Sequence, residues 1–387
     1  AMLFALVGAA PASAQQVVLK VHHFLPGTSN IQVKMLQPWC DKINKESNDR
    51  MKCQIYPAMQ LGGTPAQLFD QARDGIVDIV WAIPTYAAGR FTKAEVFELP
   101  FMTITSKGSS QALWAYTQKN ALDEFRGTKL LFMHVADGHL FHFTDKNVKS
   151  LDDLKGLKIR AATRISSRMI TALGATPVQM PLPQVPESLS KGVIDGAMVP
   201  WEGAPSVKLH EIAKFHLDTA AGAPRIANSI FAFAMNQAKY DSLPADLKKV
   251  IDANSGLAIS AWAGETGFDA VVGPHRKLAL DRGNTLNTIS DAEIQRMVDA
   301  VAPQTLRRRG SVPSWQLDVS AIHLGTARSG GSSSTPPTTT AAPKHCKRRS
   351  RCGGAARPRS PCRGRGGRRR GRSGPRPPRT AKPRCTA

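Results

Sequence analysis

The chain has 387 residues, 42% of them hydrophobic, and a formal net charge of +23, enough chain for two lobes around sizeable cores. The charge is uneven: from Leu306 onward 21 Lys and Arg face one Asp, which leaves 31 basic and 28 acidic residues before it. The nearly neutral front part gives no reason to expect nucleic-acid binding, and no later stretch reaches the ~18–20 apolar residues of a membrane span.

Met2 to Ala10 is apolar, and Ala12-Ser13-Ala14 then offers small residues at both cleavage-determining positions. That is the pattern of a secretory signal without its basic start, so residues 1–14 are expected to be a signal-peptide remnant and the product to be exported. A short buried helix is the alternative. Val17–His22 has strand character, and Thr28 or Ser29 can cap a helix whose Ile31, Met35, Trp39 and Ile43 share a face. Pro38 should bend it. Cys40 on that helix and Cys53 on the next strand (52–56) can come within bonding distance, and an oxidising compartment would let them close. Two reduced core cysteines are the other possibility.

The loop Gln60-Leu61-Gly62-Gly63-Thr64-Pro65 offers an N-cap and a first-turn proline to a helix over 65–74. Its free amides suit either an anion or a tight turn. The helix should bury Leu68, Phe69 and Ala72, stop at Gly75, and lead into a strand over 76–83 buried on both faces. The same sentence is written again 117 residues later: Gly75-Ile76-Val77-Asp78 before Ile79-Val80-Trp81 matches Gly192-Val193-Ile194-Asp195 before Gly196-Ala197-Met198. Between them, a strand ends at Arg160, a helix spans 164–173, a strand 177–180, and a helix Pro186–Lys191.

These repeats predict an α/β, periplasmic-binding-protein-like fold of two hinged lobes with a ligand cleft between them. Lobe I is expected over 15–142 plus about 226–262, lobe II over 143–225 plus about 263–305. A long helix starting near Leu243 should cross both. Residues 306–387 lack apolar periodicity and are rich in Arg, Gly and Pro, so they are expected to be a disordered basic tail, with out-of-frame translation as its origin and a polyanion-binding arm as the alternative.

Arg160, a guanidinium at a strand exit facing the cleft, suits a carboxylate through two parallel hydrogen bonds; a solvated or core-bridging arginine is equally compatible with the residues alone. Trp81, Tyr86, Phe141 and Trp201 stand where they can wall a pocket or fill a core. Asn228 is a further polar candidate. Glu202 can serve the polar end of a ligand, a bound cation, or only solvent. His134, His139 and His142 lack the carboxylates and spacing of a metal centre and are expected to be structural. No nucleophile elbow, phosphate-binding loop, zinc-protease or dinucleotide motif is present, so no catalytic residue and no cofactor is assigned. A secreted enzyme acting on an organic acid is the runner-up to a binding protein.

Five ordered motifs carry a resemblance: Gln60-Leu61-Gly62-Gly63, Phe97-Glu98-Leu99-Pro100-Phe101, Asp153-Leu154-Lys155-Gly156-Leu157-Lys158-Ile159-Arg160, Leu173-Gly174-Ala175-Thr176-Pro177-Val178 and Gly192-Val193-Ile194-Asp195-Gly196. Over about Val17 to Ala302 the chain resembles the DctP-type solute-binding proteins of TRAP transporters. The resemblance implies a periplasmic receptor that closes around an organic acid and delivers it to a membrane permease driven by an ion gradient, with no nucleic-acid partner. It also implies that Arg160 pairs with the ligand carboxylate. Sialic-acid-type members carry a second arginine where this chain has Leu140, and an asparagine where it has Val199. Fewer polar anchors imply a less hydroxylated acid: a small monocarboxylate, with Trp201 and Phe141 pointing to an aromatic one.

Overall fold

The structure is a computed structural model that describes residues 16–309, with side chains through 302. The expected signal remnant, and all of the expected tail beyond Arg309, lie outside the described residues. The strands in chain order are β1 (Val17–His22), β2 (Met51–Tyr56), β3 (Ile79–Ala82), β4 (Thr128–Val135), β5 (His139–Phe143), β6 (Lys158–Ala161), β7 (Thr176–Gln179), β8 (Gly196–Pro200), β9 (Phe215–Asp218), β10 (Ile230–Asn236) and β11 (Thr285–Thr288). They form two sheets, ordered β2-β1-β3-β10-β4 and β11-β9-β5-β8-β6-β7.

The repeat is structural. In each sheet a parallel trio (β2-β1-β3, β7-β6-β8) meets an antiparallel strand, β10 or β5. Gly75 and Gly192 take the left-handed conformation at φ 76° and 65°, where a side chain would be strained. The aspartate three residues later performs the same task twice. Asp78 donates its backbone N–H to the Lys20 carbonyl and accepts the Lys20 N–H at Oδ2, 2.8 Å, and Asp195 does the same with Lys158, its Oδ2 accepting at 2.7 Å. The motif therefore both stops a helix and clamps the incoming strand to its neighbour.

Local chemistry explains most of the first lobe. Ser29 Oγ accepts Gln32 N–H at 3.3 Å, and Thr64 N–H donates to the Gln67 side chain at 2.8 Å in a reciprocal cap. Pro38 sits in the first turn of helix Gln37–Glu46, preceded by a π-helical turn, Gln32–Leu36. The proline has no N–H to give, so the ladder shifts register there instead of bending a continuous helix. Cys40 and Cys53 are joined in a disulfide; closing so short a loop contributes about 2–4 kcal/mol.

Three findings differ from the sequence-based picture. The chain passes between sheets at 136–138, because β5 pairs with β8 and β9 in the second sheet, a few residues before the expected boundary at 142. The long helix is three: Ala245–Ala253, Leu257–Gly267 and Val272–Asp281. Gly256 at φ 89° breaks the first junction and Phe268, at φ −127°, the second. Gly264 lets the middle helix press on Ser106–Asn120 of the first lobe, since a Cβ there would stand 2.8 Å from the Ser106 carbonyl oxygen. The third helix crosses over, and its His275 meets the Trp201 carbonyl at 3.1 Å. Finally, the last helix runs Asp291–Arg309, slightly past the expected start of the tail.

Among the described residues no helix is long and apolar enough to cross a membrane.

Candidate functional site

The chain crosses between the sheets at 136–138 and again at 219–229. A cavity of about 20 Å³, room for little more than one water molecule, lies where the two lobes meet. Phe24, Leu25, Trp81, Ile83, Tyr86 and Phe231 line it from the first lobe. His139, Arg160, Ala162, Leu182, Pro200 and Glu202 line it from the second, and Ser229 from a crossing segment.

Arg160 is held by its own sheet. On β6, Ile159 and Ala161 turn into the second lobe's core, so Arg160 points to the other face. Its Nε donates to the Met180 carbonyl at 3.0 Å, and Nη1 to the Met198 carbonyl at 2.7 Å. Met180 directly follows β7 and Met198 lies on β8, the strands on either side of β6. Nη2 reaches across to the Tyr86 hydroxyl at 3.3 Å. Three of its five N–H groups are thus engaged, which leaves one on each terminal nitrogen. The residue is 2% exposed, and among the described residues no carboxylate stands within ion-pair distance of it. Burial lowers its pKa, with Tyr86 opposing, yet a guanidinium stays charged. A buried cation whose protein partners are all neutral favours an anion as its missing neighbour.

Tyr86 comes from the short turn Pro84–Tyr86 after β3. Its hydroxyl accepts from Arg160 and from Leu182 N–H at 3.3 Å, and keeps its own hydrogen to donate. Beside it, Trp81 stacks on Phe24 (centroids 5.1 Å) and Phe231 (4.8 Å), and donates its indole N–H to His134 at 2.8 Å. The ion pair of Glu95 with Arg164 links the lobes near this wall.

Glu202 is 2% exposed, which removes the solvent-facing alternative. Burial first, and the charge of Asp137 second, hold its carboxyl well above the usual range, which favours its neutral form. His139 is pushed down to about 3 by burial and by the Arg160 charge, so it is neutral too. The cavity therefore carries a single positive charge, on Arg160.

Phe141 and Trp201 are not at this cavity. Phe141 is packed in the second lobe's core beside Phe143, and Trp201 donates to Asp218 at 2.9 Å while its ring meets His142 and His216. The alternation of a strand assigns residues to two faces, but not which face meets the cleft. Asn228 lies one residue from the lining, its Oδ1 accepting Ser229 N–H at 2.8 Å. His134, His139 and His142 go to separate neighbourhoods: Trp81, Ser229 and His216. The Gly62-Gly63 loop is tied to Gln71 and His22, and Pro65 lies along a different groove, with Pro26, Pro181 and Pro183. Phe24, Phe231 and Ser229 were not singled out from sequence, because they reach the cavity from strand ends and crossings that only the topology brings together.

Residues 22–308 match the sequence profile of the bacterial extracellular solute-binding proteins, family 7, DctP. The chain belongs to this family. DctP proteins bind solutes outside the cytoplasm for transport. The chain is similar to a TRAP solute-binding protein from Rhodoferax ferrireducens T118 crystallised with copurified benzoate: 45% identity, TM-score 0.74, covering 79% of this chain and 95% of that one. It is also similar to a marine-metagenome TRAP solute-binding protein specific for aromatic acid ligands, in complex with 3-hydroxybenzoate: 44% identity, TM-score 0.75, covering 80% and 96%. Among curated relatives, the outer membrane transporter protein TsaT of Comamonas testosteroni is 24% identical over 306 residues, 78% of this chain and 88% of TsaT.

The charged groups of this DctP chain set a pH window for its stability. Burial pushes His134 and His139 down to about 3 and His23 and His216 to about 4, and His142 well below its ordinary value. Unfolding lets each take a proton below about pH 6.5, so their contribution is complete above that and lost as pH falls. Glu98 and Asp137 act oppositely, pushed up to about 7 and about 8 by burial. Their contribution is complete below the ordinary carboxyl range and lost as pH rises through 7 and 8. Urea unfolding followed from pH 4 to 9 is expected to show greatest stability at about pH 6–7; a maximum below 5 or above 8 contradicts these assignments.

Proposed function

We propose that this DctP protein is a periplasmic receptor that closes its two lobes around a small aromatic monocarboxylate and delivers it to the permease subunits of a TRAP-type transporter. The observation that carries this is Arg160: a buried guanidinium with one N–H left on each terminal nitrogen, beside the Tyr86 hydroxyl, in a cavity walled by Phe24, Trp81 and Phe231. One positive charge suits one carboxylate. A second carboxylate would enter an apolar wall, or meet Glu202, without a cation to offset its desolvation. The aromatic acids held by the two similar solved proteins support the same ligand class. The crossings at 136–138 and 219–229 are the natural hinge. The aromatic preference therefore rests on the walls from the first lobe, not on Phe141 and Trp201.

Calorimetric titration of the full chain with benzoate, 3-hydroxybenzoate and succinate tests the proposal. Micromolar or tighter binding of at least one aromatic acid is expected, with succinate at least 100-fold weaker. Succinate binding as tightly, or heat with no aromatic acid, would overturn it.

A further inference from the structure

We propose that Glu202 sets the specificity of this receptor by hydrogen-bonding a hydroxyl on the ring of the aromatic acid whose carboxylate Arg160 holds. The inference rests on the function proposed for Arg160 and extends it to a second polar wall. β8 lies beside β6 with Arg160 opposite Ala197. It runs three residues further, about 10 Å, to Pro200, and His139 of β5 pairs with Pro200. Glu202 and His139 thus belong to a part of the lining beyond the strand position of Arg160, near the hinge.

The polar groups there are built in but unmatched. Glu202 Oε1 and His139 Nδ1 are buried without a hydrogen-bond partner, and both residues line the cavity. Behind them, Asn228 Nδ2 and both carboxyl oxygens of Asp137 are in the same state. Glu202, His139, Asn228 and Asp137 are each 1–2% exposed. Buried side-chain polar atoms are nearly always paired, so a concentration of unpaired ones around a cavity calls for a polar group inside it. Elsewhere the lining is aromatic or aliphatic, apart from the Arg160 and Tyr86 anchor and Ser229, whose hydroxyl is already bonded to His139 Nε2 at 3.1 Å.

The chemistry of the wall narrows that group. Burial, with the charge of Asp137 second, favours the protonated form of the Glu202 carboxyl, and in that form it offers both a donor and an acceptor. A ring hydroxyl offers both as well, and a site built to bond a hydroxyl penalises the analogue that lacks it, because its own polar groups are then left unpaired.

The test is the ratio of dissociation constants for benzoate and for the best of the three hydroxybenzoate isomers, by calorimetry at pH 7, in the full-length protein and in Glu202→Met and Glu202→Gln. The hydroxy acid should bind at least about 10-fold more tightly to the unaltered protein. Glu202→Met should bring the two acids within about threefold by weakening the hydroxy acid alone, and Glu202→Gln, which keeps a donor and an acceptor, should retain most of the preference. Equal affinities in the unaltered protein, a preference that survives in Glu202→Met, or a parallel loss for both acids, as a merely structural role would give, overturns the assignment. Binding of neither acid to the unaltered protein removes the ligand class itself, a failure distinct from those three.

Discussion

Arg160→Ala should weaken binding of an aromatic acid by about 2–5 kcal/mol, on the order of 30- to 5,000-fold in Kd, while leaving the fold intact. The two halves of this expectation have one cause. In the free protein the guanidinium is buried among neutral partners, the Met180 and Met198 carbonyls and the Tyr86 hydroxyl, so its removal relieves a desolvated charge as it frees two carbonyls. In the complex the same removal strands a carboxylate in an apolar cavity. Arg160→Lys should fall between, because an ammonium keeps the charge and loses the planar fork that grips both neighbouring strands and a carboxylate at once. Calorimetry gives the affinities and urea unfolding checks the fold. Unchanged affinity in Arg160→Ala would show that the acid is anchored elsewhere.

Trp81→Ala should cost about 3–5 kcal/mol of stability. Trp81 is 1% exposed on β3, a strand flanked by β1 and β10, and its ring stacks on Phe24 and Phe231. Truncation leaves a void that a sheet pinned on both sides cannot close. It also strips His134 Nε2 of its donor, leaving that ring without its indole partner in a fully buried setting. Trp81→Phe should lose less, since it keeps most of the volume and only the hydrogen bond is lost. A midpoint for Trp81→Ala within 1 kcal/mol of the parent would show that this stack is not the keystone of the first lobe. Because Trp81 also walls the cavity, aromatic acids should bind the alanine variant more weakly at a temperature where it remains folded.

Much of this was legible in the sequence because it is written in local chemistry. The Gly75 and Gly192 motifs announce a helix stop followed by a strand without help from distant residues, and so reveal the duplicated lobe; the aspartate clamp on that strand needs Lys20 and Lys158 and is seen only in the structure. Arg160 is legible as a guanidinium at a strand exit, where it can face a cleft. What escaped depends on topology. Phe141 and Trp201 looked like pocket walls, but strand alternation is silent on which face meets the other lobe. Phe24, Ser229 and Phe231 arrive at the cavity from a strand end, a crossing segment and a returning strand, distant in sequence and joined only once both sheets are in place. The long crossing helix was the one miss with a visible warning, since Asn254-Ser255-Gly256 is a stop signal inside the apolar pattern.

The burial of Glu202 was equally out of reach of the sequence. Its neighbours Pro200 and Trp201 are at the end of a strand, where an acid is usually solvated; it is the meeting of β8 with β5 and the hinge that encloses it.

The most direct measurement is a crystal structure of the full-length protein with benzoate bound. The account predicts both carboxylate oxygens within about 2.7–2.9 Å of the Arg160 terminal nitrogens and the ring between Trp81 and the second lobe. A carboxylate held by other residues, with the Arg160 side chain turned away from it, would contradict it.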